Sequence, residues 1–198
     1  MKIYDYLDEN ILNEIVKILD NDGLIIFPTD TVYGIACNSF SEKAINKLFL
    51  AKGREFNKPI GVLTNSIDKI NMIVDNINET ESKLIKGYFP GNLTIIFNKK
   101  DNVSDLLTAK KNTIGVRIPD NQIALNILEK YPFPLATTSV NIAGEKDGTE
   151  INDFINDFKD KVDIIIDGGK TGETPSTIVR VEEDNIIILR QGDLKINN

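Results

Sequence analysis

Apolar positions along the chain switch repeatedly between a spacing near 3.6 and a spacing near two, which marks a mixed α/β protein. Ile11, Ile15, Ile18 and Leu19 form one stripe and predict a helix over residues 8–21. Asn21-Asp22-Gly23 ends it, with Gly23 expected at the left-handed stop. LIIF (24–27) follows as a short buried strand, and Ser41 is placed to cap a helix with Ala44, Ile45, Leu48 and Phe49 on one face. PIGVLT (59–64) predicts a strand, Ile67, Ile70 and Val74 a short helix, and residues 80–87 another helix, broken at Pro90-Gly91. LTIIF (93–97) and TIGVRI (113–118) predict strands around a polar loop. Asp120 is expected to cap a helix carrying Ile123, Ala124, Ile127 and Leu128. Beyond it come a strand, PLATTS (134–139), and a helix over 150–158 with Ile151, Phe154, Ile155 and Phe158 inward. DIIID (163–167), STIVRV (176–181) and NIIILR (185–190) complete the strands, the last two joined as a hairpin through Glu183-Asp184-Asn185. With no repeat and no linker, one domain over residues 1–198 is expected.

Composition removes whole classes of chemistry. The chain has no His, which excludes Ser-His and Cys-His catalysis and histidine metal sites. Its one Cys excludes a disulfide framework and fits a reducing compartment. Acids among the N-terminal apolar residues argue against a signal peptide, and no apolar run approaches the ~20 residues that span a bilayer. A cytoplasmic location with no membrane partner is the expectation. Lys+Arg total 23 against 30 Asp+Glu, a net charge of −7 that disfavours strong tRNA binding but leaves room for a local basic pocket.

Candidate chemistry gathers where strands end. LIIF runs into PTDTVYG, GVRI into PD, LATTS into VNIAGE and DIIID into GGKTGETPST. Buried strands thus deliver hydroxyls, glycines and charge to one region, the usual place for ligands of open α/β sheets. The arginines are Arg54, Arg117, Arg180 and Arg190 alone, and a planar guanidinium suits carboxylates and phosphates better than lysine does. Arg54, Arg117 and Arg190 with Lys52 and Lys58 suggest an anion pocket, whereas Arg180 has Glu182 as a simple surface partner. There is no GxxxxGK[ST] and no carboxylate cluster at metal-ligand spacing, so the metal stays unassigned. Cys37 is expected in the core; Tyr33 either lines the pocket or fills the core.

Together these segments resemble the YrdC family, the threonylcarbamoyl-AMP synthases of the tRNA threonylcarbamoyladenosine (t6A) pathway. The resemblance runs in order through GLIIFPTDTVYGIACN (23–38), AKGREFNKPIGVL (51–63), FPGNLTIIF (89–97), TIGVRIPDN (113–121), PLATTSVNIAGE (134–145), PSTIV (175–179) and ILRQG (188–192). Its most specific element pairs Lys52-Gly53-Arg54 with Ser139-Val140-Asn141. It implies an α/β single-domain YrdC-like fold, a twisted mixed β-sheet with flanking helices and a concave ligand pocket. The reaction it implies joins L-threonine, bicarbonate and ATP into threonylcarbamoyl-AMP and pyrophosphate, with Mg2+ expected and another complex of tRNA-modification proteins as partner. Carried over by position, Lys52 and Arg54 are the catalytic cations. Lys52, Arg54, Lys58, Thr113, Ser139, Asn141 and Arg190 bind ATP, and Thr31, Arg117, Thr137 and Ser176 bind threonine.

That chemistry needs no histidine. N-carboxy-threonine is already a carboxylate, so its attack on the α-phosphorus requires alignment and neutralisation of spreading charge rather than a general base. The chain departs from the family at four positions: Leu63 stands where many members place a histidine, Glu55 and Asn92 replace prolines, and Asn121 replaces a frequent histidine. Leu63 bears most on amino-acid selectivity. By its ending, the chain resembles the family's short members, with Arg190 on a C-terminal tail over the nucleotide. Two other functions stay open for YrdC-like domains: double-stranded RNA binding in ribosome maturation, and adenylation of carbamoyl phosphate.

Overall fold

The computed structural model describes residues 1–196. Its first half contains β1 (Lys2–Tyr4), α1 (Glu9–Asp20), β2 (Ile25–Phe27), β3 (Gly34–Asn38), α2 (Glu42–Lys52), β4 (Gly61–Leu63), α3 (Ile67–Ile73), α4 (Glu79–Tyr88) and β5 (Leu93–Asn98). The second half adds α5 (Asp105–Thr108), β6 (Thr113–Arg117), α6 (Gln122–Lys130), β7 (Leu135–Ser139), α7 (Ile155–Phe158), β8 (Ile164–Ile166), β9 (Thr177–Glu182) and β10 (Asn185–Arg190). All ten strands join one mixed sheet in the order β1-β8-β2-β3-β7-β4-β6-β5-β9-β10.

Alternation along the strands sorts the core into two layers. Ile25, Phe27 and Ala36 face Ile11, Ile15 and Leu19 of α1 and Ala124, Ile127 and Leu128 of α6. On the opposite face Ile26, Ile35, Val62, Ile95 and Val116 pack with Ala44, Ile45, Leu48 and Phe49 of α2 and with Ile70 and Ile73 of α3. The helices start where short polar side chains satisfy their first amides: Asp8 accepts from Ile11, Ser41 from Ala44, and Asn78 and Glu81 form a reciprocal box at α4. Each such cap contributes about 1 kcal/mol.

Several expectations need correction. The left-handed residue after α1 is Asp22 (φ 59°), and Gly23 is required for another reason. A Cβ on Gly23 would lie 2.3 Å from Ile18 Cγ2 and 2.8 Å from Asp163 Oδ2. The cap of α6 is Asn121, whose side chain accepts from Ala124 N–H at 3.1 Å, rather than Asp120. The helix foreseen over 150–158 is a 3-10 turn (Ile151–Asp153) and the single turn α7; Phe154 and Phe158 are buried, but Ile151 and Ile155 are only partly so. The polar loop before β6 contains α5, while β1 and β3 arise without any periodic signal. Arg190 is on no free tail: it ends β10, and the following turn is tied back where Thr177 Oγ1 accepts from Gly192 N–H at 2.9 Å and donates to Leu194 O at 2.7 Å.

Candidate functional site

A depression forms on the α1/α6 face where the strands carry almost no side chain. Thr137 pairs with Gly61, and the β4–β6 register places Gly61 beside Gly115. A Cβ on Gly115 would press within 3.1 Å of Ile96 Cδ1 and 3.3 Å of Thr94 Cγ2, and one on Gly34 would meet Thr137 Cγ2 at 2.9 Å. These glycines form the floor of a cavity of about 280 Å³, open to solvent, walled by residues from widely separated parts of the chain. Of the residues singled out by sequence, Thr31, Arg54, Arg117, Thr137, Ser139, Ser176 and Arg190 line it.

Behind the Ser139 wall lies Lys52, in the last turn of α2 and only 1% exposed. Its ammonium donates to Ser139 O and to Asn141 Oδ1 (2.6 Å), and Ser139 Oγ donates to that same amide oxygen at 3.2 Å. The backbone strengthens the junction, since Ala143 N–H donates to Lys52 O at 3.1 Å. Residues nearly ninety positions apart are therefore clamped together. Burial, reinforced by the like charge of Arg54 and opposed by Asp147, pushes the Lys52 ammonium down to about 8. Gly53, left-handed at φ 60°, turns the chain so that Arg54 enters the cavity. There its guanidinium donates to Lys58 O (3.3 Å) and Pro59 O (2.9 Å), and burial lowers its pKa too.

In the lining itself Arg117, 6% exposed, is held on nearly every side. Nε donates to Gly91 O (2.9 Å), one terminal nitrogen to Thr31 Oγ1 (2.7 Å), and the other to the Asp30 carboxylate and to Asn92 Oδ1 (3.3 Å). Thr29 orders Thr31 in turn, their hydroxyls lying 3.0 Å apart. Arg190 reaches over the sheet from β10 and donates to Ser176 O at 3.0 and 2.8 Å; the Ser176 hydroxyl lies 2.8 Å from that of Thr94. Partial desolvation lowers the Arg190 pKa as well, although the residue as a whole remains exposed at the rim.

Four of the named residues do not line the cavity: Lys52 and Asn141 are clamped to each other behind its Ser139 wall, and Lys58 and Thr113 stay farther outside. Lys58 projects into solvent and pairs with Glu55 at 3.3 Å, which also accounts for the acid at that position. Thr113 shares a strand face with Gly115 and Arg117 but sits beyond the cavity. Asn92 braces Arg117 and Asn121 caps α6, so two departures from the family pattern have structural work. Leu63 lines the cavity in register with Arg117. Tyr33 does both things foreseen for it: the ring packs on Phe154 and lines the cavity, while its hydroxyl accepts from Gly168 N–H (3.0 Å) and donates to Gly169 O (2.7 Å). Cys37 is a buried core residue, and Arg180 pairs with Glu182 at 3.3 Å on the surface.

Sequence reasoning missed Asp30, Thr94 and Asp147. Asp30 was visible only as part of PTDTVYG, and Asp147 only as one acid in a polar turn. Among the described residues no group of three His, Cys, Asp or Glu side chains forms a metal cage. A divalent ion carried by a polyphosphate needs less, because Mg2+ keeps several waters and binds through one or two carboxylates. Asp147, which faces the cavity, fits that role. No helix is long and apolar enough to cross a membrane among the described residues.

The Sua5_yciO_yrdC family model, described as "Telomere recombination", matches residues 17–192. A putative threonylcarbamoyl-AMP synthase of Methanocaldococcus jannaschii is 38% identical over 99% of this chain and 94% of its own length. A threonylcarbamoyl-AMP synthase of Pyrococcus abyssi is 34% identical over 87% of this chain but only 51% of its own length, so the present chain spans about half of that relative. The crystal structure of P. abyssi Sua5 complexed with L-threonine superposes with a TM-score of 0.91 at 32% identity, covering 98% of this chain and 57% of that one. Escherichia coli YciO superposes with a TM-score of 0.86 at 25% identity, over 97% of this chain and 94% of its own. With its glycine-floored cavity, its clamped Lys52–Asn141 junction and a family match over most of its length, this chain belongs to the Sua5/YciO/YrdC family.

Proposed function

We propose that this chain is an L-threonylcarbamoyladenylate synthase, a nucleotidyltransferase acting in the cytoplasm on the t6A route of tRNA modification. The observation that carries the reading is the convergence on one cavity of Arg54 and Ser139, backed by the buried Lys52–Asn141 clamp, with Arg117 and Thr31. ATP lies with its phosphates along Lys52, Arg54 and Arg190. L-threonine sits with its carboxylate on Arg117, between Thr31, Thr137 and Ser176.

An oxygen of the threonine N-carboxylate attacks the α-phosphorus, the bond from that phosphorus to the bridging oxygen breaks, and pyrophosphate leaves. Charge then builds on the phosphate oxygens, where Lys52 and Arg54 neutralise it. Removing one such donor commonly costs on the order of 2–4 kcal/mol of transition-state stabilisation. Mg2+, entering with ATP, supplies further neutralisation of the polyphosphate.

The test is pyrophosphate release from ATP with each co-substrate omitted in turn. Release that requires both L-threonine and bicarbonate is expected. Release at an equal rate without threonine, or release supported only by carbamoyl phosphate, would refute the assignment.

A further inference from the structure

Asp147 is the anomaly of the cavity. It is half-buried and faces the same space as Arg54, Ser139, Ser176 and Arg190, a region otherwise suited to anions. Among the described residues its carboxylate has neither a hydrogen bond nor an ion-pair partner, unlike Asp30, which is bound by Arg117. Its position is built rather than incidental. Gly148 N–H donates to Val140 O (2.8 Å), Val140 N–H to Tyr33 O (2.9 Å) and Tyr33 N–H to Gly148 O (3.2 Å). A side chain at 148 would strike the Phe154 ring at 2.5 Å. The turn that follows Asn141 therefore presents Asp147 inward in one place. Its charge is felt at both Lys52 and Arg190, where it favours the protonated form.

A carboxylate at the phosphate end repels a metal-free polyphosphate, since like charges a few ångströms apart interact at the scale of several kcal/mol even at an intermediate dielectric. The repulsion turns into attraction when a divalent cation lies between the two. Building on the ATP reading above, we infer that Asp147 is the protein's ligand for the Mg2+ that accompanies the nucleotide, completed by phosphate oxygens and water. Asp147 thereby selects the metal complex over free ATP. The threonine ammonium is the competing occupant of this carboxylate, and the binding of ATP without threonine tells the two apart.

The experiment is calorimetric binding of ATP, without threonine or bicarbonate so that nothing turns over, with excess Mg2+ or with chelator, to wild type, Asp147→Asn and Asp147→Glu. Water-proton relaxation of bound Mn2+ gives a second readout independent of catalysis. Wild type is expected to bind ATP about tenfold more tightly with Mg2+ than without, an ordinary size for one screened carboxylate. In Asp147→Asn the metal-free affinity should rise and the Mg2+ effect should shrink below about threefold, with the Mn2+ relaxation signature altered; Asp147→Glu should restore the coupling. A destabilised cavity would weaken both forms of ATP together, so the opposite-signed change is diagnostic. An unchanged Mg2+ effect in Asp147→Asn, with or without weaker threonine binding, overturns this inference alone. Failure of wild type to bind ATP under any condition overturns it together with the functional reading.

Discussion

Two buried cations serve the cavity, Arg117 in its lining and Lys52 behind Ser139, and the two are kept in opposite ways. Arg117 is ion-paired with Asp30, both side chains being nearly buried (7% and 13% exposed), so its charge is cancelled where it stands. Lys52 is buried more completely, yet the groups that hold it are the Ser139 carbonyl, the Asn141 amide and, at 3.5 Å, the Thr138 hydroxyl, all neutral. Neutral dipoles keep an ammonium in place without cancelling its field. One end of the cavity therefore attracts a polyanion at range, while the other offers direction: after its four partners, the guanidinium keeps one N–H on the Thr31 side for a visiting carboxylate. A triphosphate and an amino acid held by its one α-carboxylate differ in the same sense.

The largest expected effect separates the ends by stability. Arg117→Met strands the Asp30 carboxylate, whose second oxygen is already buried without a partner. Breaking a buried pair in this way costs about 3–5 kcal/mol, which for a chain of this size lowers Tm by roughly 10 °C. The double change Asp30→Asn with Arg117→Met should recover most of that loss. Lys52→Met removes a lone buried charge together with its contacts, so its stability cost should be nearer ~1 kcal/mol while ATP affinity collapses. Thermal melts beside ATP titrations check both; equal melting losses for Arg117→Met and Lys52→Met would erase the contrast.

A smaller effect comes from pH. Lys52 titrates near 8 in the folded chain against an ordinary 10.5, because it is desolvated beside Arg54. Between those values the unfolded chain binds a proton that the folded chain has released, so stability rises with pH through the window. The cost of burying the charge is fully present below pH 8. Nucleotide binding runs the other way: as pH rises above 8, ATP meets a neutral amine, and affinity should fall by up to about tenfold per pH unit with proton uptake on binding. Titrations at pH 7.5 and 9 in buffers of different ionisation enthalpy read both quantities. The same slope in Lys52→Met would show that another group titrates. Tyr33 and Cys37 do not compete, since burial pushes both upward and out of this range.

How much of this was legible beforehand follows the distance over which each signal acts. Helix stripes and the Ser41 cap are local, and they appear where periodicity puts them except over 150–158, where the stripe yields only two short turns. β3 was silent because a central strand covered on both faces, GIACN, has small residues and no alternation. At the site, the hydroxyls and arginines stood out by type and by strand-end position. Their partners did not: Asp30, Thr94 and Asp147 take their roles from which strands become neighbours, a property no window of sequence carries. The glycine floor is the same kind of fact, since Gly61 and Gly115 matter only because β4 and β6 run side by side.

Lys58 gives the smallest predicted effect and the sharpest check on how the nucleotide end is built. The family resemblance puts it along the ATP phosphates, but its side chain is 57% exposed, outside the cavity, and engaged with Glu55, itself 66% exposed. Pairs of this kind contribute about 0–1 kcal/mol and are screened by salt. What the loop contributes inward is its backbone, through the carbonyls of Lys58 and Pro59 that orient Arg54. Truncation to Ala keeps those carbonyls, so Lys58→Ala should change ATP affinity by less than about twofold at moderate salt, with Arg54 unmoved. A tenfold loss that fades at high salt would mean that residues 53–58 swing inward around the nucleotide, exchanging the Glu55 contact for a phosphate. The phosphate end would then be assembled on binding, and only the Arg117 end would be built in advance.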